Sequence, residues 1–230
     1  MRNFLKSSLL LLLLTANSAF AGLMTGVGSY TMTEFNLPTG SSASSATSMD
    51  GDIVNFTDIS GSPVNMMVGN TGNTSDQWWN GSDAAFYYAD FATTWVELIM
   101  PRNTLAFSLS IDAKNGANAW IVGVADDGGA IDTLGNPFTL NNSGHFDPND
   151  PDFKIQLRGP AQSFGFHVDN SAGSCNTISK VVVDPNYWGM GDFSINVDEN
   201  ACSGVVPEPS IIGLFAAGLF GLGLARRKMA

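Results

Sequence analysis

Hydrophobic positions recur at every second residue through most of this chain. Leu105, Phe107, Leu109 and Ile111 alternate with Ala106, Ser108 and Ser110. Phe153, Ile155 and Leu157 alternate with Lys154, Gln156 and Arg158, and Phe193, Ile195 and Val197 with Ser194 and Asn196. Successive side chains of a strand point to opposite faces, so each run predicts an antiparallel strand with one face for a core and one for water. Weaker runs continue the pattern at 53–57, 64–68, 85–91, 94–100, 120–125, 164–168 and 178–183. Turn chemistry separates them: Asn115-Gly116, Asp127-Gly128-Gly129, Gly135-Asn136-Pro137 and Asp147-Pro148-Asn149-Asp150-Pro151. Ile111 and Ala119, flanking Asn115-Gly116, predict a hairpin. The Ser/Ala-rich stretch 40–48 predicts a loop. No stretch before residue 210 carries a helical period. The expected fold class is all-β: a single antiparallel two-sheet sandwich, jelly-roll-like, followed by a short C-terminal transmembrane helix.

The two ends break this pattern. Arg2 and Lys6 precede a continuous apolar core from Leu9 to Leu14, and Ala19-Phe20-Ala21 is a small-x-small site. That order is the signature of a secretory signal peptide over 1–21, with a mature chain expected from Gly22. A retained anchor is the alternative, but the apolar core is short for a membrane span. At the other end Pro207-Glu208-Pro209 precedes an uncharged apolar run from Ile211 to Ala225, and Arg226, Arg227 and Lys228 follow. Proline fixes its own φ and holds its predecessor extended, so the Pro-Glu-Pro stretch predicts an exposed spacer. The run is hydrophobic on all sides, which suits lipid rather than a protein surface, and the cations fit the positive-inside bias. Fifteen residues make roughly 22 Å of helix against about 30 Å of hydrocarbon, a marginal span that snorkelling cations can complete. Gly213, Ala217, Gly221 and Ala225 recur every four residues and give that helix one face of small side chains.

Val206-Pro207-Glu208-Pro209-Ser210, the apolar helix and Arg226-Arg227 together resemble the PEP-CTERM sorting signal of Gram-negative bacteria. The resemblance covers about a tenth of the chain. It implies recognition of Pro207, Glu208, Pro209, Arg226 and Arg227 by an exosortase-like membrane protease or transpeptidase. It also implies an inner-membrane-anchored precursor and delivery to the cell surface or extracellular matrix. The chain therefore divides into a signal peptide (1–21), a β-sandwich domain (22–202), a linker with the sorting motif (203–209) and a transmembrane helix with a basic tail (210–230).

Composition narrows the work of the exported part. Between residues 22 and 206 there are five cations and twenty acids, a net charge of −15. Nucleic acid is excluded as a partner, because no basic patch exists to displace phosphate counterions. Cys175 and Cys202 are the only cysteines. In an exported chain two cysteines are expected to pair. The bridge would enclose 26 intervening residues and stabilise by roughly 3 kcal/mol in the chain-entropy model.

Enzyme chemistry finds little support, and the chain is expected not to be an enzyme. His145 lies in a Gly/Asp/Pro loop, and His167 alternates with Phe166 and Val168 on what should be the solvent face of a strand. There is no Gly-x-Ser-x-Gly elbow, and an acid pair chosen from twenty carboxylates has no specificity for glycoside hydrolysis. Two binding constellations stand out. Asp147, Asp150 and Asp152 sit in a Pro-rich turn where carboxylates and carbonyls can converge on calcium, or where they simply fix the turn. Trp78, Trp79, Tyr87 and Tyr88 are interleaved with Asp76, Asn80 and Asp83, a composition that suits gripping sugar rings and equally suits filling a core. The leading expectation is an exported structural or adhesive protein. The alternative is a carbohydrate-binding module for extracellular polysaccharide, with calcium assisting.

Overall fold

The alternating runs become strands in the computed structural model, which describes residues 22–70, 84–89, 96–113, 118–138, 155–156, 161–170, 175–184 and 188–201. Along the chain these are β1 (Leu23–Thr25), β2 (Thr33–Glu34), β3 (Ser42–Ala43), β4 (Ser45–Thr47), β5 (Ile53–Thr57), β6 (Met66–Asn70), β7 (Ala85–Ala89) and β8 (Val96–Ile99). There follow β9 (Thr104–Ala113), β10 (Asn118–Ala125), β11 (Ala130–Asp132), β12 (Pro137–Phe138), β13 (Ile155–Gln156), β14 (Gln162–Val168), β15 (Ile178–Asp184) and β16 (Trp188–Val197). No helix occurs among the described residues. The expected signal peptide, linker and transmembrane helix lie outside them.

Two antiparallel sheets result. The first runs β1-β14-β9-β16-β7-β6-β3, with β2 also pairing β16. The second runs β12-β11-β10-β15-β8-β5-β4, with β13 also pairing β10. Their inner faces share one core. Leu105, Phe107, Leu109 and Ile111 of β9 and Phe166 of β14 meet Phe56 of β5, Leu98 of β8, Ile121 of β10 and Val181 and Val183 of β15, all buried. Each such side chain contributes roughly 1.5–3 kcal/mol on leaving water. Close approach is needed where β10 crosses β14: a Cβ on Gly123 would lie 2.6 Å from the Phe166 ring and 2.9 Å from Leu23 Cδ2.

β16 holds the first sheet together, pairing β9 on one side and β7 and β2 on the other. Its register against β9 shifts between Gly191 and Ser194, where three residue steps oppose the two from Ser110 to Ser108. This is a β-bulge, and Asp192 within it adopts a positive φ of 48°. The extra residue inverts the alternation. Met190 before it and Phe193 and Ile195 after it therefore all enter the core.

Three expectations change. The stretch 40–48 is no loop: Ser42 and Ala43 pair β6 of the first sheet, and Ser45 to Thr47 pair β5 of the second. The chain crosses between sheets at Ser44, and small side chains fit that corner. The hairpin at Asn115-Gly116 does not exist, because β9 and β10 belong to different sheets. Apolar alternation is equal in both, so the sequence cannot tell a hairpin from a crossing. Finally, the outer face of β9 is mostly removed from water: Ala106, Ser110 and Asp112 are buried and Ser108 is half-buried.

Candidate functional site

That buried polar face, on the outside of the first sheet, is where the aromatic and polar side chains of the described residues converge. β7 contributes Phe86 and Tyr88 on its outer side, since Tyr87 between them points inward. Tyr88 pairs Gly189 of β16, and Gly189 in turn pairs Asp112 of β9. Two residues along, Gly191 opposes Ser110, which faces Ser163 of β14. The two glycines carry no side chain and are buried, so on this face β16 separates the aromatic residues of β7 from the polar residues of β9 and β14.

The polar wall is knitted by hydroxyls. Ser110 and Ser163 share a hydrogen bond of 2.8 Å, and Ser108 and Ser194 one of 2.7 Å across β9 and β16. On the aromatic wall Phe86 and Tyr88 lie with ring centroids 5.8 Å apart and Ala161 packs against Phe86. Gly69 of β6 lies under Phe86, where a Cβ would meet the ring at 2.6 Å. Phe86, Ser110 and Asp112 are each at most 4% exposed, whereas Tyr88 is half-buried. Ser163 on the polar side is exposed, so Tyr88 and Ser163 are members of this surface that reach solvent.

The aromatic set read from the sequence is therefore divided. Tyr87 is a core residue, 4% exposed. Its ring stacks on Phe193 and meets Phe56 edge-on, and its hydroxyl reaches towards the Ser45 carbonyl at 3.5 Å. Adjacent residues of a strand cannot share a face, so Tyr87 and Tyr88 cannot form one platform. Trp78 and Trp79 lie outside the described residues, as do Asp147, Asp150, Asp152, His145 and the sorting residues Pro207, Glu208, Pro209, Arg226 and Arg227. Among the described residues no group of three or more His, Cys, Asp or Glu side chains could hold a metal ion. Cys175 precedes β15 and no free cysteine occurs among the described residues, while Cys202 lies outside them. Phe86, Asp112 and the serine pairs were not foreseen, because the alternation that revealed the strand assigned its second face to water.

His167 sits on the outer side of β14, between Met24 of the edge strand β1 and Ala106 of β9. Its Nδ1 is 3.1 Å from the Gly26 carbonyl, which can only accept, so this nitrogen carries the hydrogen. Gly28, at a φ of +58°, lies against the imidazole, where a Cβ would sit 2.9 Å from Cδ2. Tyr30 meets the same ring edge-on and donates its hydroxyl to the Val168 carbonyl at 3.0 Å. Burial, and next the Asp169 charge, raise the Tyr30 phenol above its ordinary value of 10.0. The loop 26–30 is thus clamped on His167, which reads as a structural latch. On the second sheet Lys180 donates to Glu97 at 2.6 Å, giving the largely buried carboxylate its counter-ion.

Comparison with known proteins adds one finding about the chain end. Residues 205–228 match the PEP-CTERM protein-sorting motif, so the chain carries a sorting signal of that type at its C-terminal end. No curated protein matches the sequence. Among solved structures, the family 30 carbohydrate-binding module of the cellulosomal cellulase CEL9D-CEL44B of Clostridium thermocellum aligns over 74% of this chain and 100% of that one. The identity is 13% and the TM-score 0.33, too low to bear on fold or ligand.

Proposed function

We propose that this is an exported β-sandwich protein, sorted by an exosortase-type membrane enzyme to the envelope or extracellular matrix, where its role is structural or adhesive. The observation that carries the proposal is the sorting motif at residues 205–228, directly after the last strand of a two-sheet domain. The frequent passage of consecutive strands from one sheet to the other fits jelly-roll-like winding. In this reading the signal peptide over 1–21 starts export, the helix over 210–230 anchors the precursor, and Cys175 bonds Cys202 to staple the end of β16 to the start of β15. Intact mass and fractionation of the native protein test it. A product trimmed at both ends and recovered from the envelope or matrix is expected. An untrimmed chain in the cytosol would overturn the reading.

A second reading, polysaccharide binding, is favoured by one observation. Tyr88 is half-buried on a sheet surface that also carries serine hydroxyls and Asp112. Aromatic faces beside such groups stack on sugar rings. Retention on polysaccharide columns that falls several-fold in Tyr88→Ala, or in Trp78→Ala with Trp79→Ala, would establish it. Unchanged retention in both would remove it. Calcium dependence of that retention would bring in Asp147, Asp150 and Asp152.

A further inference from the structure

The strand register fixes where the two signal-bearing ends leave the domain. β1 pairs β14 with Leu23 opposite Val168, and the Asp169 N–H donates to the Gly22 carbonyl at 3.2 Å. β14 pairs β9 with His167 opposite Ala106, and β9 pairs β16 with Ala106 opposite Asn196 and Thr104 opposite Val197. Gly22 and Asp169 therefore stand level with Thr104 and Val197, one residue from Asn103 and Asp198, and the Asp198 N–H donates to the Asn103 carbonyl at 3.2 Å. β1 and β16 are three strand spacings apart, about 14 Å at ~4.8 Å each. Both ends exit at the same pole.

We infer that this pole faces the lipid surface in the precursor, so that both chain ends are processed there with the sheets standing away from the membrane. The inference rests on reading the two termini as membrane-inserting export signals. The tethers are short. β1 begins two residues after Ala21, the expected last residue of the signal peptide, which leaves almost no slack on that side. From Ala201 to Pro209 the linker reaches at most about 28 Å fully extended. Ten-residue β9 spans about 33 Å, so neither tether lets the domain turn over. Asp58, in the turn after β5, lies at the far end: its Oδ1 accepts from the Ser60 and Ser62 N–H groups, which holds that turn in shape. The pole near the membrane is acidic. Asp50, Asp52, Asp126, Asp127, Asp169 and Asp198 sit in its turns beside Arg102, while Lys180 lies within β15 and is paired with Glu97. Anionic headgroups repel such a surface within a Debye length of about 8 Å. The pole is therefore presented to the membrane without sticking to it.

Full-length chain synthesised into lipid nanodiscs with a quencher on the lipid headgroup tests this. A fluorescent amino acid replaces exposed Arg102 at the near pole or exposed Ile59 at the far turn; Glu199 and Leu134 serve as a second pair if either variant misfolds. Several-fold stronger quenching at Arg102 than at Ile59 is expected, and adding anionic lipid at low salt should reduce it. Equal quenching at both positions in disc-bound chain, or stronger quenching at Ile59, would overturn the orientation while leaving the export reading intact. Stronger quenching at Arg102 on adding anionic lipid would overturn the stand-off. A chain that never associates with discs would overturn the export reading and the orientation together.

Discussion

Tyr87 and Phe193 lie face to face in the core, ring centroids 5.6 Å apart and planes 11° from parallel. Met190 is the β16 residue opposite Tyr87, and the bulge that follows brings Phe193 onto the same inner face. Phe193 also touches Phe35, Phe56 and Phe107, so the pair forms the centre of an aromatic cluster bridging the two sheets.

Truncating one ring should therefore unfold more than it alters binding. Tyr87→Ala is expected to cost about 3–5 kcal/mol, the range for emptying a buried aromatic site. Tyr88→Ala, on the half-exposed side of the same strand, should cost under about 1.5 kcal/mol. Urea unfolding of the two variants checks the contrast. Equal losses would mean that the two side chains are not divided between faces.

The bulge makes its own demand. Asp192 holds a φ of 48°, a region open to Asn, Asp and Gly but hostile to β-branched residues. Asp192→Val should cost at least about 1–2 kcal/mol from backbone strain alone, a strain that Asp192→Asn and Asp192→Gly both escape, so each should lose less than Asp192→Val. Thermal melting of the three variants tests this order.

Lys180 and Glu97 form an ion pair across β15 and β8, with Glu97 only 7% exposed. Removing the cation alone strands a carboxylate in a poorly solvated place. Lys180→Met should destabilise by about 2–4 kcal/mol, and Lys180→Met with Glu97→Leu should recover most of the loss. A double variant no better than the single would show that Glu97 needs no counter-ion.

Tyr30 sets a limit at high pH. Its folded value is raised by burial and then by Asp169, so the neutral phenol is the form that the fold favours. The linked stabilisation is present in full below pH 10.0, the ordinary value, and is lost as pH rises through the folded value. The tyrosinate absorbance that Tyr30→Phe removes should develop late, and it should move towards the ordinary value in Asp169→Asn. Release of the Tyr30 hydroxyl from the Val168 carbonyl should loosen the loop 26–30 in the same interval.

How far the sequence could be read varied with each element. The run at 53–57 coincides with β5, and 105–111 lies within β9, because both have large apolar residues at strict period two with a single inner face. β16 was legible only from Phe193 onward: the bulge at Asp192 shifts the alternation by one, so Met190 falls out of phase with Ile195 although both are buried. β3 and β4 were missed because Ser42, Ala43 and Ser45 are too small to mark an inner face. Of the candidate site, Tyr88 could be seen, but its separation from Tyr87 and its alignment with Gly189 and Asp112 could not.

The sequence alone determined strand periodicity, the absence of a helical pattern before residue 210 and the sorting signal at the C-terminal end. Each is local, set by the spacing of neighbouring residues or by a contiguous stretch of apolar and charged ones. Tertiary structure decided which sheet each strand joined, which polar faces were buried, and that Gly22 and Asp198 stand at one pole. Those outcomes depend on pairing between strands far apart in the chain, and period two repeats identically in every strand, so it carries no record of the partner.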